Sequence, residues 1–140
     1  MIDFEKLQKS LKHLETQHVN YLGMENRHSL TDLDREAIAE SVIQRFETCY
    51  DTLWKDLKRY LIEEMGLAEV PNSPKPILKL AGQNSLLPSL VEKWLKYADA
   101  RTGTAHDYSG EKAEEALQLI GDFLQDASNL YQTISGKSWK

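Results

Sequence analysis

Arg101, His106 and Tyr108 fall within the run RTGTAHDY, and their side chains suit a phosphate-ester site. A guanidinium offers a planar fork of donors that fits a phosphate or a carboxylate. A neutral imidazole takes or gives a proton near pH 7. A phenol can stack on a base, bind through its hydroxyl, or accept a modifying group. An arginine and a histidine without a metal are the minimum equipment for metal-independent RNA cleavage. Thr102, directly after the arginine, adds a hydroxyl to the candidate binding set. An ordinary helix junction accounts for the same residues: Arg101 paired with an acid, His106 capping a helix end, Tyr108 packed at half-burial.

Spacing restricts how these groups could cooperate. Positions 101 and 106 are five apart, so one regular helix turns them about 140° from each other. Arg101 and Tyr108 are seven apart and would nearly align. Trp94, Ala98, Arg101 and Ala105 recur on one face, which carries the guanidinium to where apolar side chains pack. Two arrangements bring the three groups together. Either the chain bends or unwinds at Gly103 and Ser109-Gly110, or a second subunit closes a composite site.

The elements that must position this segment are helices. Phe4, Leu7, Leu11, Leu14 and His18 step by three or four, predicting a first helix over about 3–22 with Asp3 as its cap. Ser29, Thr31 and Asp32 offer capping oxygens for a second, from Asp32 to about Met65. Its stripe runs through Ile38, Val42, Phe46, Cys49, Leu53, Leu57 and Tyr60 or Leu61. That helix would be roughly 50 Å long, the backbone of the bundle, and Gly66 ends it. Asp51 and Lys55 have the spacing of a helical ion pair. Tyr50 and Trp54, four apart, are either core or part of a subunit or nucleotide surface. A short helix runs from a Ser73 cap toward Leu80, with Pro74 in its first turn. Pro88 suits an early position of the next helix, whose stripe is Leu90 or Val91, Trp94 or Leu95, and Ala98. The last begins after Ser109-Gly110 and runs through Ala113, Leu117, Ile120, Leu124, Ala127, Leu130 or Tyr131, and Ile134. The tail SGKSWK is expected to fray. No stretch alternates with period two for a strand's length. The expected fold is all-α, an up-and-down bundle of four main helices plus one short helix, in a single domain over 1–140.

Composition removes several function classes. With 17 Lys and Arg against 22 Asp and Glu, the formal charge of -5 gives no general field for nucleic acid. Cys49 is the single cysteine, which rules out an intrachain disulfide and a cysteine-rich metal site; it reads as a buried, inert thiol. His13 and His18 face different ways, Glu25-Asn26-Arg27-His28 reads as a solvated loop, and Glu111, Glu114 and Glu115 as a solvated first turn, so no metal is assigned. Neither a Walker-type phosphate loop nor a dinucleotide-binding glycine motif occurs. A basic leader and a run of roughly 20 apolar residues are both missing. The expectation is a cytoplasmic protein with no membrane partner.

RTGTAHDY resembles the R-x4-H-x-Y signature of the HEPN superfamily. More narrowly, FEKLQKSLKHLE, RFETCYDTLWKDLKRYL, SPKPILKLA and WLKYADARTGTAHDY resemble the nucleotidyltransferase substrate-binding protein family, whose members accompany a separate minimal nucleotidyltransferase. The likeness covers nearly the whole chain. It implies a homodimer of HEPN-like helical bundles with a cleft near the two motifs, joined to the nucleotidyltransferase as a two-plus-two complex. It implies no intrinsic cofactor: the catalytic carboxylates, the nucleoside triphosphate and the magnesium belong to the partner. Some relatives are metal-independent RNase toxins, neutralised by the partner, in some systems by AMP attached to the motif tyrosine. Carried over by position, Arg101 and His106 would be the RNase residues and Tyr108 the modification site, with Arg101, Thr102, His106 and Tyr108 bordering the nucleotide or substrate. Many nuclease members place an asparagine where this chain has Thr102, whose hydroxyl lacks the amide's paired donor and acceptor. The leading expectation is therefore a nucleotide- or substrate-binding subunit of a two-component, toxin-antitoxin-like pair. The alternatives are an endoribonuclease toxin acting on RNA and a helical interaction protein with no nucleotide role.

Overall fold

A computed structural model of the chain describes residues 2–106 and 110–139, with the backbone alone at residue 106. Its helices are α1 (Glu5–Leu22), α2 (Asp32–Glu63), α3 (Pro74–Gln83), α4 (Val91–His106) and α5 (Glu111–Ser135), with one 3-10 turn at Met24–Asn26. Among the described residues there is no strand. The all-α expectation holds.

Local chemistry sets most of the boundaries. The Asp34 N–H donates to the Thr31 hydroxyl at 3.0 Å, and the Thr31 N–H donates to the Asp34 carboxylate at 3.0 Å. This reciprocal capping box starts α2. The helix then runs 32 residues, about 48 Å. At its far end Gly66 takes a left-handed φ of +66°, and the Leu67 N–H closes onto the Leu61 carbonyl at 3.1 Å. Only a residue without Cβ enters that conformation cheaply. Pro74 occupies the first turn of α3, where its missing N–H costs nothing.

Four expectations need correction. Pro88 lies before α4, which begins at Val91. Asp3 does not cap α1 in the expected position; Phe4 is the N-cap residue, and the Asp3 carboxylate accepts from the Glu5 N–H at 2.8 Å instead. Ser73 holds the N-cap position of α3 as expected, but its hydroxyl makes no capping bond. The SGKSWK tail does not fray through residue 139. Gly136 turns the chain at φ +71°, and Trp139 packs edge-on against Tyr131 with ring centroids 5.5 Å apart. Lys12 of α1 lies 5.8 Å over the Trp139 ring, and the Trp139 backbone N–H donates to the Gln132 side-chain oxygen at 3.1 Å.

α2 packs on α1, α5, α3 and α4, while α1 meets α5 and α3 meets α4. Its buried side chains include Val42, Ile43, Phe46, Cys49, Tyr50, Leu53, Leu57 and Leu61. Edge-to-face rings link three helices: Phe46 with Phe123 at 5.0 Å, Tyr97 with Phe123 at 5.2 Å, and Trp94 with Tyr97 at 5.4 Å. Such pairs add to the area they bury. Cys49 is fully buried, and burial pushes its thiol up to about 12. On α4 the core residues are Trp94, Tyr97 and Ala98, whereas Leu90 is exposed. Among the described residues no helix is long and apolar enough to cross a membrane.

Candidate functional site

Two stretches singled out by their residue types meet across the α2–α4 contact. Arg101 projects from α4 onto the face of α2 that carries Glu47 and Asp51. Its Nε and Nη2 donate to the two Asp51 carboxylate oxygens at 3.2 and 3.1 Å, and Nη1 donates to Glu47 at 3.1 Å. The Thr104 hydroxyl, fully buried one turn further along α4, donates to the same Glu47 oxygen at 2.7 Å. A fork shared between two carboxylates one helical turn apart fixes the guanidinium in position and orientation. Glu47 is the buried partner, its side chain 11% exposed, while that of Asp51 is 38% exposed. An incoming phosphate that sought Arg101 would meet these carboxylates first, and Asp51 is the easier to displace.

Asp51 therefore has a tertiary partner, and the expected Asp51–Lys55 pair does not form. Lys55 instead holds its ammonium 5.9 Å over the neighbouring Trp54 ring. The corrected pairing follows from geometry, since a bidentate guanidinium across the helix contact outcompetes a solvated lysine on the same helix.

Beside the Arg101 cluster opens a cavity of about 550 Å³. Tyr50, Asp51, Trp54 and Lys55 of α2 form one wall, and Ala98, Arg101, Thr102 and Ala105 of α4 another. Ser73, Pro74, Lys75 and Pro76, at the start of α3, complete it. Lys75 reaches Asp99 of α4 at 2.6 Å. The Tyr50 hydroxyl is held well above its ordinary value, chiefly by burial and then by the Asp51 charge, with Arg101 opposing; it stays a protonated donor. A second cavity, about 630 Å³, lies between the N-terminal segment and the last turns of α2 and α5. Asp3, Glu5 and Glu64 on its wall outnumber Lys137, a poor setting for a phosphate, and it contains none of the motif residues.

The sequence-derived candidates separate in space. Arg101 and Thr102 lie on the cavity, where Thr102 is exposed and its hydroxyl donates back to the Ala98 carbonyl at 3.2 Å. α4 continues unbroken through Gly103 to residue 106, so no bend between positions 101 and 106 brings them onto one face. A Cβ at Gly103 would stand 3.3 Å from the exposed, flexible Lys112 side chain of α5, which can yield. The His106 side chain and all of Tyr108 lie outside the described residues.

Glu47 and Thr104 were not among the sequence candidates. Glu47 had a legible signal, an acid in phase with Ile43, Tyr50 and Trp54 on an otherwise packed face. Thr104 falls three residues after Arg101 and seven after Tyr97, on the inner side of α4. The contributions of Ser73 and Lys75 had no local signal, because the fold alone carries α3 to this wall.

The chain matches, over residues 2–136, the family described as nucleotidyltransferase substrate binding protein like. A probable ribonuclease HepT of Haemophilus influenzae is 30% identical over 102 residues, which span 71% of this chain and 69% of that protein. Among solved structures, HI0074 from Haemophilus influenzae, described as having the fold of a substrate binding domain of a nucleotidyltransferase, aligns with a TM-score of 0.84 at 26% identity. That alignment covers 95% of this chain and 99% of the other. A structure from Thermus thermophilus aligns with a TM-score of 0.64 at 25% identity, over 86% of this chain and 98% of the other.

Proposed function

The chain belongs to the nucleotidyltransferase substrate binding protein-like family, and on that premise we propose that it is the nucleotide- or substrate-binding subunit of a separate minimal nucleotidyltransferase. The observation that carries this reading is the convergence of the RFETCYDTLWK segment of α2 and the Arg101 end of α4 on one cavity. Small-molecule sites have this form: a concave, largely apolar wall with a few fixed polar groups. In this reading two copies pair as a homodimer and two nucleotidyltransferase subunits join them. The partner supplies the catalytic carboxylates, magnesium and nucleoside triphosphate. Arg101, Thr102, His106 and Tyr108 border the binding cleft, and Tyr108 accepts AMP from the partner in a toxin-antitoxin-like pair. The unbroken helix through residue 106 supports a cleft completed by a second copy, because one copy turns positions 101 and 106 apart by about 140°.

Co-expression with a nucleotidyltransferase encoded beside it tests this directly. A stable two-plus-two complex by light scattering is expected, with an AMP adduct on Tyr108 by intact and peptide mass after addition of ATP and magnesium. A chain that stays monomeric and never associates with its encoded neighbour overturns the reading.

A second reading, a metal-independent endoribonuclease acting through Arg101 and His106, is favoured by the similarity to a protein named a probable ribonuclease. It requires RNA cleavage by the purified chain in chelator, lost in Arg101→Ala and His106→Ala. Intact RNA across a broad panel, with the folded state verified, removes it.

A further inference from the structure

The chain has five arginines, and four of them are engaged. Arg101 holds Glu47 and Asp51, and Arg59 lies 3.6 Å from Asp56. Arg27 donates to Asn20, and Arg35 donates to the Met24 and Arg27 carbonyls. Arg45 is exposed and bonds no carboxylate or carbonyl among the described residues. In a chain with 22 acids against 17 bases, an arginine without an acid is the exception.

Its surroundings give it a purpose. Arg45 and Thr48 of α2 and Ser10 and His13 of α1 line one small cavity of about 70 Å³. Each pair is three residues apart, the spacing that sets two side chains on one side of a helix. No acid stands one helical turn to either side of His13 or Arg45, so the lining is uniformly receptive to negative charge. The Ser10 hydroxyl donates to the Leu7 carbonyl at 3.0 Å. That leaves the Thr48 hydroxyl, which makes no bond among the described residues, as the free hydroxyl donor beside the guanidinium and the imidazole.

Size narrows the ligand class. The cavity is far below the roughly 300–1,000 Å³ of sites for drug-sized molecules and matches about two waters at ~30 Å³ each. A base or a sugar does not fit, whereas one small oxyanion does. Three donors arriving from two helices suit a tetrahedral anion better than a flat carboxylate, and a guanidinium fork spans two phosphate oxygens.

We propose that this α1–α2 cavity is a binding site for a single phosphate group. Arg45 takes two oxygens through its fork, and His13 and Thr48 take the third. The fourth oxygen faces solvent, because His13, Arg45 and Thr48 are exposed. The site therefore accepts orthophosphate or the terminal phosphate of a small ester whose remainder stays outside. It is separate from the Arg101 cavity: positions 45 and 47 of α2 are turned about 200° from each other. Its validity is independent of the subunit reading above.

The test uses the full chain, with orthophosphate and ribose 5-phosphate as probes and chloride at matched ionic strength as control. Nitrogen-15 NMR follows the imidazole signals of His13 and His18 and the Nε–H signals of Arg45 and Arg101, assigned by substitution. Orthophosphate is expected to shift His13 and Arg45 saturably while His18 and Arg101 stay in place. Saturation by ribose 5-phosphate as well identifies the esterified form as a ligand; saturation by orthophosphate alone identifies the free anion. Arg45→Ala, with its fold verified by melting, should weaken binding at least about tenfold, the effect of a charge-assisted pair of bonds. Arg45→Lys keeps the charge but loses the fork, and should weaken it about threefold or more. Thr48→Val should weaken it as well.

Three outcomes overturn the site: shifts that rise without saturating, as in chloride; a His13 response unchanged in Arg45→Ala; or saturable shifts at Arg101 with Arg45 unmoved.

Discussion

Arg101 on α4 is bound to Glu47 on α2, Nη1 to carboxylate oxygen at 3.1 Å, across 54 residues of sequence. The same Glu47 oxygen also receives the Thr104 hydroxyl. The residue best suited to hold a phosphate is therefore also a structural tie between two helices.

Arg101→Ala is expected to lower the unfolding free energy by about 2 kcal/mol. Breaking a fully buried pair costs roughly 3–5 kcal/mol, and the Arg101 side chain is 28% exposed, which reduces the penalty. Adding Glu47→Gln to Arg101→Ala removes the stranded buried charge and should recover part of the loss. Urea unfolding of the native chain, both single variants and the double variant checks this coupling. Any loss of activity in Arg101→Ala has to be read beside that measurement.

Two buried tyrosines should respond in opposite ways to removal of a hydroxyl. Tyr97 donates to the buried Asp126 carboxylate at 2.5 Å, so Tyr97→Phe costs about 1.5 kcal/mol, a charge-assisted bond partly compensated by Lys93 at 3.5 Å. Tyr50→Phe removes a hydroxyl that has no partner among the described residues, so its melting temperature holds or rises. A melting temperature that falls equally in both variants would contradict the assigned bonding.

Asp56 gives the chain a distinct pH dependence. It is 3% exposed, and burial raises its carboxyl above the ordinary value of 3.8, with Arg59 and Lys6 opposing and Asp3 reinforcing. A carboxyl raised on folding binds more protons in the folded state than in the unfolded state within that window. Stability attributable to it therefore falls as pH rises from about 3.8 through the raised folded value, then levels. Asp56→Asn removes this slope. The difference in urea midpoint between native chain and variant, followed from pH 3 upward, should grow in the variant's favour and then become constant.

Trp139→Ala should lower stability by about 1 kcal/mol, from lost apolar burial and the Lys12 cation–π contact. Thermal melting of this variant beside the native chain checks whether the tail contributes to the bundle.

The helices were legible because their apolar residues keep a 3.6-residue period and their ends carry ordinary chemistry, as at Thr31, Gly66 and Pro74. Polar residues inside that period were not. Tyr97, Asp126 and Asp56 are buried, but a carboxylate or phenol in a helical sequence has the same local signature as a solvated one. The Arg101 partners show the limit most sharply. Asp51 and Lys55 satisfy a local spacing rule, yet the preferred cation lies 50 residues further on and only packing brings it near. A bend at Gly103 was one of two ways to gather the motif residues, yet α4 runs through it unbroken to residue 106. The cavity mixed both kinds of information. Tyr50, Trp54 and Arg101 stood out by residue type, and the α3 wall followed from topology alone.

Cys49, the chain's single thiol, sits fully buried in α2 and is held almost entirely protonated at neutral pH. A thiol reagent therefore meets a closed door in the native state and a reactive group each time α2 comes away from its neighbours. When reclosing outpaces reaction, the labelling rate counts how often the core opens. The native chain thus contains its own clock, needing no engineered probe, for asking whether a bound nucleotide or a partner subunit slows the opening.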